Sequence, residues 1–178
     1  KTEQISRRYT NEVINLKNRS GPAIAKNKGA EIANGENLVF LDADTLLTKG
    51  TLKKIDEVLV GKNHFVGTCK IKPTNRKIKH QIAMFLKNNL HTKLGKSNGI
   101  IFCKKNTFEK FNGFDKVQQA EDWLFVRKIM KNGKYIILNN YVLSSTRRFD
   151  KKGYLPIIFY WLKQMVRPKL QEAYDIIR

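Results

Sequence analysis

The stretch from Asn37 to Thr45, which reads N-L-V-F-L-D-A-D-T, decides the fold that the sequence predicts. Its apolar run, Leu38 to Leu41, is typical of a strand that is buried on both faces. Asp42 and Asp44 follow at once, and alternate residues of an extended backbone point to the same side. We therefore expect two neighbouring carboxylates at the carboxyl end of a buried strand, where open α/β sheets bind their ligands.

This pair of carboxylates predicts a binding site for Mg²⁺ or Mn²⁺. These cations take few carboxylate ligands from a protein and leave room for the phosphates of a substrate. The simpler alternative is that Asp44 caps a helix that begins near Thr45. Motifs further along the chain favour the metal site over the cap.

The composition favours one globular domain with an anionic partner. The 178 residues are enough for a hydrophobic core, and 41% of them are hydrophobic. The chain has 35 Lys and Arg against 15 Asp and Glu, a formal charge of +20. Such an excess predicts binding to nucleic acid, anionic lipid or a phosphorylated substrate.

The cysteines and histidines form no metal-binding motif. Cys69 and Cys103 lack the spacing of metal ligands and are typical of reduced thiols in a cytoplasmic protein. Ordinary surface or packing roles are expected for the three histidines. No apolar run reaches the roughly 18 residues that a membrane span requires.

The pattern alternates between strands and helices of about ten residues, which predicts an α/β fold with a mostly parallel sheet flanked by helices. The strand Asn37–Leu41 is expected at the centre of that sheet. Further strands are expected at Glu12–Leu16, Phe65–Ile71, Asn98–Phe102, Tyr135–Leu138 and Tyr141–Leu143, and helices at about Ser20–Ala33, Thr51–Val60 and Ala120–Asn132.

The segment from Lys70 to Lys96 contains eight Lys and Arg and no acidic residue. A run of charge usually marks a solvated face of a protein. The alternative is an amphipathic helix within the run that forms one wall of a site and carries the apolar residues Ile82, Phe85, Leu86 and Leu90.

Two charged pairs in the second half of the chain have both a structural and a functional explanation. Glu121 and Asp122 start a predicted helix, where acidic side chains stabilise the helix dipole. The dipole does not explain why the pair stands just before Trp123. Arg147 and Arg148 follow a predicted strand, and adjacent arginines can bind phosphate in fork geometry.

Four motifs follow one another along the chain. They are Gly21-x-Ala23-x-Ala25-Lys26-Asn27-x-Gly29, Phe40-Leu41-Asp42-Ala43-Asp44, Gly113-Phe114-Asp115 and Glu121-Asp122-Trp123. Their order and spacing resemble the family 2 glycosyltransferases of the GT-A fold, roughly from Thr2 to Arg148. The resemblance implies an inverting, metal-dependent transfer of a sugar from a nucleotide-diphosphate sugar to an acceptor glycan or lipid-linked acceptor.

The resemblance also implies roles for individual residues. Asp42 and Asp44 match the family's D-x-D motif, which bridges a divalent cation to the donor diphosphate. Asp122 matches the general base that takes the acceptor proton, and Glu121 is its neighbour. The residues implied to bind the nucleotide sugar are Lys26, Asn27, Asp42, Asp44, Asn98, Gly99, Arg147 and Arg148.

The start of the chain departs from the family pattern. Family members begin with a strand that carries a Pro-x-x-Asn-like turn, followed by a helix and a second strand that ends in an acidic residue. None of these precedes Lys1, so we expect an N-terminally truncated GT-A domain over residues 1–150. Residues 151–178 are expected to form a basic and aromatic helical segment.

This C-terminal segment predicts contact with a membrane surface. From Arg147 to Lys169 there are seven Lys and Arg and one acid, Asp150. The apolar and aromatic stretch Leu155 to Leu162 is too short to span a bilayer but is typical of an amphipathic helix in the interface. We expect a cytoplasmic protein that docks at the inner face of the cell membrane. The alternatives are that this helix packs on the domain or forms a dimer contact.

Two other functions fit part of the sequence. A sugar-nucleotide nucleotidyltransferase would share the fold and a metal-binding acid, but the motif Glu121-Asp122-Trp123 disfavours it. A basic nucleic-acid-binding module accounts for the charge alone, and the sequence has no helix-turn-helix, zinc or RNP-type signature. We therefore expect no nucleic-acid partner.

Overall fold

The computed structural model describes residues 2–16, 20–62 and 65–166, which form a five-stranded sheet flanked by helices. This confirms the expected α/β class. The strands are β1 (Asn37–Leu41), β2 (Thr45–Leu47), β3 (Phe65–Pro73), β4 (Ile100–Lys104) and β5 (Lys134–Ser144). The helices are α1 (Thr2–Ser6), α2 (Gly21–Ile32), α3 (Thr51–Leu59), α4 (Ile78–Leu86), α5 (Lys105–Lys110), α6 (Glu121–Met130), α7 (Arg147–Lys152) and α8 (Tyr154–Val166), and a π-helical turn (Lys87–His91) and a 3₁₀ turn (Thr92–Leu94) continue α4.

The helix α2 follows from its local sequence. Pro22 occupies the first turn, where its missing N–H costs no helical hydrogen bond. Gly21 has a φ of +80°, a left-handed backbone that glycine adopts without steric cost. The helix ends just before Asn34-Gly35, as the sequence predicts. Its small residues Ala23 and Ala30 are buried against the sheet.

The expectation of a strand at Glu12–Leu16 is wrong. These residues have no regular secondary structure and pair with no strand of the described sheet. Of the apolar residues here, Ile14 is 41% exposed, and Val13 and Leu16 are only partly buried. A short segment without a strand partner gains neither ladder hydrogen bonds nor burial to offset the entropy of ordering it.

The sheet has the strand order β1-β4-β3-β5-β2. Of its pairs, β3 and β5 are parallel, whereas β1–β4, β3–β4 and β2–β5 are antiparallel. The expectation of a mostly parallel sheet is therefore wrong for the described residues. Alternating strands and helices produce parallel pairs only where each helix crosses over the sheet. Here β2 follows β1 after a tight turn and pairs with β5 instead.

The strand β4 is buried on both faces, whereas β1 is not. Ile100 and Phe102 contact one apolar layer, and Ile101 and Cys103 contact the other. In the described sheet, β1 lies at an edge with β4 as its neighbour, and Leu38 is its one buried residue. The apolar run of β1 thus predicts a strand correctly, but its central and doubly buried position is wrong because burial depends on which strands pair with it.

Two apolar layers hold the helices against opposite faces of the sheet. One layer packs α2, α5 and α6 around Phe108, Phe114 and Phe125, whose ring centroids are 4.9–5.4 Å apart. The other packs α3, α4 and α8 around Phe102 and Phe149. Full burial of one such side chain contributes roughly 1.5–3 kcal/mol. These layers therefore fix where the ends of the strands lie.

The helix α8 packs on the domain through one face and exposes the other. Ile157 is 4% exposed within the second apolar layer, and the Tyr154 hydroxyl oxygen lies 2.9 Å from His80 Nδ1. Leu155 and Phe159, by contrast, are 80% and 70% exposed. The alternative in which this stretch packs on the domain therefore holds for one face of the helix.

The structure describes part of the C-terminal segment. Residues 154–166 form α8, whereas Arg167 and Lys169, which contributed to the basic charge, lie outside the described residues. Within the part of the chain that the structure describes, no helix has both the length and the apolar character that crossing a membrane requires.

Candidate active site

A cavity of about 580 Å³ opens beside the turn after β1 and the turn before β4. This volume is within the range of small-molecule sites, roughly 300–1,000 Å³. Residues of α2, α4, α6, α7 and α8 complete its lining. The charged lining residues are the carboxylates Asp42, Asp44, Glu121 and Asp122 and the cations Lys26, Lys87, Lys96, Arg147 and Arg148.

The turn after β1 brings Asp42 and Asp44 into the cavity. The Asp42 N–H donates to the Gly99 carbonyl oxygen at 2.9 Å, and the Thr45 N–H donates to the Asp42 carbonyl oxygen at 3.0 Å. The two carboxylates therefore share the cavity because the chain bends, and not because an extended strand continues. Thr45 begins β2 and the next helix starts at Thr51, so the alternative in which Asp44 caps a helix near Thr45 is wrong.

Gly99 permits a close approach at this turn. Its φ of +79° lies in the left-handed region, which favours glycine. A side chain at this position would clash with the Thr45 hydroxyl and lie 3.5 Å from Asp42 Oδ2. The structure thus places Gly99 in the cavity wall, where its role in nucleotide-sugar binding stays a prediction.

Glu121 and Asp122 enter the cavity from the first turn of α6. Ala120 before them has a φ of +62°, a left-handed conformation that is strained for a residue with a Cβ atom. The Ser97 hydroxyl donates to Asp122 Oδ2, and the Trp123 N–H donates to Asp122 Oδ1 at 2.8 Å. These two bonds fix the orientation of the Asp122 carboxylate.

Lys26 connects the two acidic segments. Its Nζ lies 2.8 Å from Glu121 Oε1 and 3.4 Å from Asp42 Oδ1. Burial disfavours the charge on Lys26, but the neighbouring carboxylates, led by Asp42 and Glu121, outweigh burial and raise the pKa of Lys26. Burial also raises the pKa of Glu121, the charge of Asp122 raises it further, and Lys26 offsets part of this effect. We name the four carboxylates Asp42, Asp44, Glu121 and Asp122, with Lys26 between them, the acidic wall.

A second group of lining residues combines lysines with tryptophans. Lys87 Nζ lies 5.4 Å from the centroid of the Trp161 ring, and Lys96 Nζ lies 4.8 Å from that of Trp123. We name these four residues the lysine–tryptophan wall. Sequence reasoning missed Lys87, Lys96 and Trp161 as site residues. The basic run contains both lysines, but nothing in it distinguishes the lysines of a cavity from those on the surface.

The helix expected within the basic run is confirmed as α4, but its buried face is the opposite of the expected one. Ile82, Phe85, Leu86 and Leu90 are 40–65% exposed. Met84 is buried instead and lines the cavity. One wall of the cavity thus comes from this helix, through the face that contacts the sheet and α8.

Arg147 and Arg148 begin α7 and line the cavity. The Ser145 N–H donates to the Asp44 carbonyl oxygen at 3.0 Å, and Arg147 Nε donates to Ser145 Oγ at 3.2 Å. These bonds tie the start of α7 to the turn that carries the two aspartates. The arrangement suits an anionic ligand that reaches both the arginines and a cation.

The two asparagines that the sequence assigns to the site have different placements. Asn98 lines the cavity but is fully buried, and its Nδ2 donates to the Cys69 carbonyl oxygen at 2.9 Å and to Thr92 Oγ1 at 2.8 Å. Asn27 does not line the cavity. Its side chain donates to the Phe114 carbonyl oxygen at 2.9 Å and accepts from the Phe114 N–H at 3.0 Å. Both polar atoms of the Asn27 side chain thus hold the backbone before α6, and the contact of Asn27 with a nucleotide sugar stays a prediction.

Asp42 and Asp44 are the residues that could hold a divalent cation. Among residues 2–16, 20–62 and 65–166, no group of three or more His, Cys, Asp and Glu side chains forms a metal site. Two carboxylates in an open cavity nevertheless fit Mg²⁺ or Mn²⁺ when a phosphate supplies further oxygen ligands. The Asp42 side chain is 47% exposed, so such a ligand could reach it.

The family relationship follows from the sequence profile of glycosyl transferase family 2, which matches residues 1–117. The chain belongs to this family. The family that the four motifs indicate is thereby confirmed. The matched region includes Asp42 and Asp44, whereas Glu121 and Asp122 lie just beyond it. No curated protein matches the chain significantly.

Several solved structures have the same GT-A-type fold. TarS from S. aureus, in complex with UDP-GlcNAc, matches 81% of this chain and 46% of its own, with a TM-score of 0.60 and 23% identity. The mannosyltransferase PcManGT from Pyrobaculum calidifontis, in complex with GDP-Man and Mn²⁺, matches 87% of this chain and 44% of its own, with a TM-score of 0.62 and 20% identity. The match to GalNAc-T7 with UDP, GalNAc and Mn²⁺ covers 75% of this chain and 32% of the GalNAc-T7 chain, with a TM-score of 0.59 and 16% identity. The chain thus spans less than half the length of these structures.

Proposed function

We propose that this domain transfers a sugar from a nucleotide-diphosphate sugar to an acceptor hydroxyl, with inversion at the anomeric carbon and with a divalent cation. The observation that carries the proposal is the cavity in which Asp42, Asp44 and Asp122 meet. Family membership supports it, as do the related folds with UDP-GlcNAc or with GDP-Man and Mn²⁺. A glycan or a lipid-linked molecule is the proposed acceptor.

Asp122 is the proposed general base. An inverting displacement needs one group that takes the proton of the acceptor hydroxyl while its oxygen bonds to the anomeric carbon and the bond to the diphosphate breaks. The bonds from Ser97 and from the Trp123 N–H hold the Asp122 carboxylate in one orientation. Glu121 is buried and paired with Lys26, so its proposed role is to position the start of α6.

Asp42 and Asp44 are proposed to hold Mg²⁺ or Mn²⁺ together with the donor diphosphate. The bound cation would stabilise the negative charge of the departing nucleoside diphosphate. Arg147 and Arg148 stand beside the Asp44 turn and would bind the same phosphates through charge-assisted hydrogen bonds. Lys26 bonds one oxygen of Asp42 and thereby holds that carboxylate at the cavity.

The other functions that the sequence leaves open have weaker support. A nucleic-acid-binding role is supported only by the net charge of +20, and it leaves the cluster of four carboxylates in the cavity without a use. In nucleotidyl transfer the attacking group is a phosphate oxygen, so the reaction does not require the Asp122 carboxylate as a base toward a sugar hydroxyl. Membership of the glycosyl transferase family favours sugar transfer over both.

Metal-dependent binding of UDP and GDP tests the proposal. Mn²⁺ should tighten the binding of one of the two nucleotides, and Asp44→Asn should abolish this metal-dependent gain because it removes a charged ligand. Isothermal titration calorimetry with and without Mn²⁺ measures the effect. Asp56→Asn, the same change on the exposed face of α3, should leave it intact. Undiminished metal-dependent binding by Asp44→Asn would sink the assignment.

We further propose that α8 docks the protein on an anionic membrane surface, at the inner face of the cell membrane. Leu155, Phe159 and Leu162 are 80%, 70% and 51% exposed and lie on one side of the helix. Lys151 and Lys152 are exposed just before it. Each basic residue near an anionic surface contributes roughly 1 kcal/mol, so a few of them with one apolar face suffice for reversible docking.

Vesicle sedimentation tests this docking. The protein should bind phosphatidylglycerol vesicles at low salt, and Leu155→Glu should weaken the binding because it places a charge in the apolar face. Leu52→Glu, at a position of α3 that is 56% exposed, is the matched control and should bind as the wild type does. Absent binding to anionic vesicles, or equal binding by Leu155→Glu, would show that α8 is not the docking element.

A further inference from the structure

The lysine–tryptophan wall has no part in the proposed donor chemistry, yet it adds two cations to the cavity. Lys87 and Lys96 lie over the indole rings of Trp161 and Trp123, and all four residues line the cavity that contains Asp122. The charge of Asp122 acts on both lysines, and an anion bound in the same cavity would be attracted to both of them.

Lys96 is buried, with 7% exposed, and Lys87 is partly exposed. Burial lowers the pKa of Lys96 and of Lys87 below their ordinary value, and for Lys87 the carboxylates Asp42 and Asp122 oppose this effect while Arg148 adds to it. Within the described part of the chain, no carboxylate lies within 4.0 Å of Lys87 Nζ. An anion bound beside Lys87 would offset the cost of burying its charge.

The imidazole of His91 also senses the positive charge of the two lysines. Its ring centroid lies 5.8 Å from that of Trp161. Burial, with the charges of Lys87 and Lys96, lowers the pKa of His91 to about 3, so the imidazole is neutral at pH 7. Its Nδ1 atom is buried and has no hydrogen-bond partner among the described residues. A buried polar atom without a partner beside two lysines marks a place where a polar ligand would complete the bonding.

The turn that carries Lys87 is fixed against the sheet. Lys87 opens the π-helical turn, a feature that is frequent at functional sites. Asn88 in this turn donates to the Ile71 carbonyl oxygen at 2.9 Å and accepts from the Ile71 N–H at 2.8 Å. These bonds tie the turn to β3, so Lys87 is presented by a fixed segment and not by a mobile loop.

We infer, on the basis of the proposed function, that the lysine–tryptophan wall is the acceptor subsite and that the acceptor carries a phosphate close to its reacting hydroxyl. Lys96 precedes Ser97, whose hydroxyl bonds to Asp122. A phosphate bound by Lys87 and Lys96 would therefore place a neighbouring hydroxyl near the proposed base. Ammonium groups bind phosphate through charge-assisted hydrogen bonds, and the indole faces offer apolar surface to the carbon skeleton. The substrate class is a phosphorylated sugar or polyol.

The tryptophans provide a direct probe, because Trp123 and Trp161 are the two tryptophans of the whole chain. Their fluorescence is titrated with glucose 6-phosphate and with glucose, while Mn²⁺ and the nucleotide that binds, UDP or GDP, saturate the donor region. Glucose 6-phosphate should change the fluorescence with a saturating curve, and glucose should not.

Variants of the lysines assign this response to the lysine–tryptophan wall. Lys87→Gln and Lys96→Gln should each weaken the affinity for glucose 6-phosphate about 10-fold, as expected for one lost charge-assisted hydrogen bond. Lys87→Arg and Lys96→Arg keep the charge and should lose less. Lys53→Gln removes the same charge from a side chain of α3 that is 81% exposed, and it should leave the affinity unchanged. Circular dichroism verifies that each variant is folded.

Three results would overturn the inference. They are wild-type affinity in both glutamine variants, equal affinity for inorganic phosphate and glucose 6-phosphate, and loss of glucose 6-phosphate binding when the nucleotide fills the donor region. A further titration uses phosphatidylglycerol vesicles. A fluorescence response to the vesicles that persists in Leu155→Glu would support an acceptor phosphate carried by a lipid. A response to glucose 6-phosphate alone would support a soluble phosphorylated acceptor.

Nucleotide binding on the same samples separates the inference from the proposed function. Intact metal-dependent nucleotide binding without any response to glucose 6-phosphate would reject the acceptor subsite and leave sugar transfer standing. A response to glucose 6-phosphate without metal-dependent nucleotide binding would reject both sugar transfer and the acceptor role.

Discussion

The acidic wall and the lysine–tryptophan wall of the cavity differ in how their residues are brought together. Asp42 and Asp44 share one turn, and Glu121 and Asp122 share the first turn of one helix. Trp161, by contrast, meets Lys87 because α8 packs against α4 across the second apolar layer. Local motifs can therefore reveal the acidic wall, whereas a surface built by packing two distant helices leaves no local pattern.

The largest expected effect is a loss of turnover when Asp122 in the acidic wall is changed. Asp122→Asn should lower turnover by about 10²–10⁴-fold with little change in donor affinity, because an amide cannot take the acceptor proton. The measurement is the release of nucleoside diphosphate from the nucleotide sugar that screening identifies, at limiting and at saturating donor.

A merely structural role of Asp122 would look different. Loss of an acidic side chain from the first turn of α6 would lower stability by about 0.3–1 kcal/mol through the helix dipole and keep most of the activity. Near-wild-type turnover of Asp122→Asn on a hydroxyl acceptor would therefore reject its role as the base and leave the acidic wall as a purely structural feature.

The next effect concerns the ion pair inside the acidic wall. Lys26→Met leaves Glu121 buried without its partner and should lower the free energy of unfolding by about 3–5 kcal/mol at pH 7. The folded state raises the pKa of Glu121 above its value in the unfolded chain, so the folded state binds this proton more tightly and stability rises as the pH falls. The loss in Lys26→Met should therefore shrink toward pH 5.

Urea unfolding at the two pH values measures this change, and Lys28→Met is the control. Lys28 pairs with Glu31 on the surface, where both side chains are at least half exposed, so its loss should cost about 0–1 kcal/mol. Equal losses in the two variants, or a loss in Lys26→Met that does not change with pH, would contradict the buried pair.

A smaller loss of stability is expected when Asn98, next to the lysine–tryptophan wall, is changed. Asn98→Ala removes the donor to the Cys69 carbonyl oxygen and to Thr92 Oγ1 and should lower stability by about 1–3 kcal/mol. It should also weaken glucose 6-phosphate binding, because Asn98 Nδ2 also donates to Asn88 Oδ1 at 3.3 Å in the π-helical turn that presents Lys87. Unchanged metal-dependent nucleotide binding would confine the effect to the lysine–tryptophan wall, whereas weaker nucleotide binding would support the expected contact of Asn98 with the nucleotide sugar.

Urea unfolding and the tryptophan titration measure these two effects. Asn139→Ala is the matched control, since Asn139 is exposed and accepts a hydrogen bond from Lys70 at the surface. If Asn98→Ala were as stable as Asn139→Ala and bound glucose 6-phosphate normally, the π-helical turn would not depend on this asparagine.

Much of the fold could be predicted because its elements carry local signals. Gly21-Pro22 and Asn34-Gly35 bound α2 as expected, and the apolar runs of β1, β3 and β4 are all strands. The position of β1 at an edge of the described sheet and the antiparallel pairs could not be predicted. Pairing is decided by contacts between residues far apart in the chain, and the composition of one strand does not contain them.

The sequence by itself determined the family and the carboxylates that the cavity contains, because each acidic pair lies within one turn and its spacing is visible in the chain. The catalytic and metal-binding roles of these residues stay predictions. Only the tertiary structure decided that Asn27 holds the Phe114 backbone instead of lining the cavity, and that Lys87 and Trp161 do line it. Side chains of the same type are used for packing or for binding according to which helices pack together, and that depends on the whole apolar core.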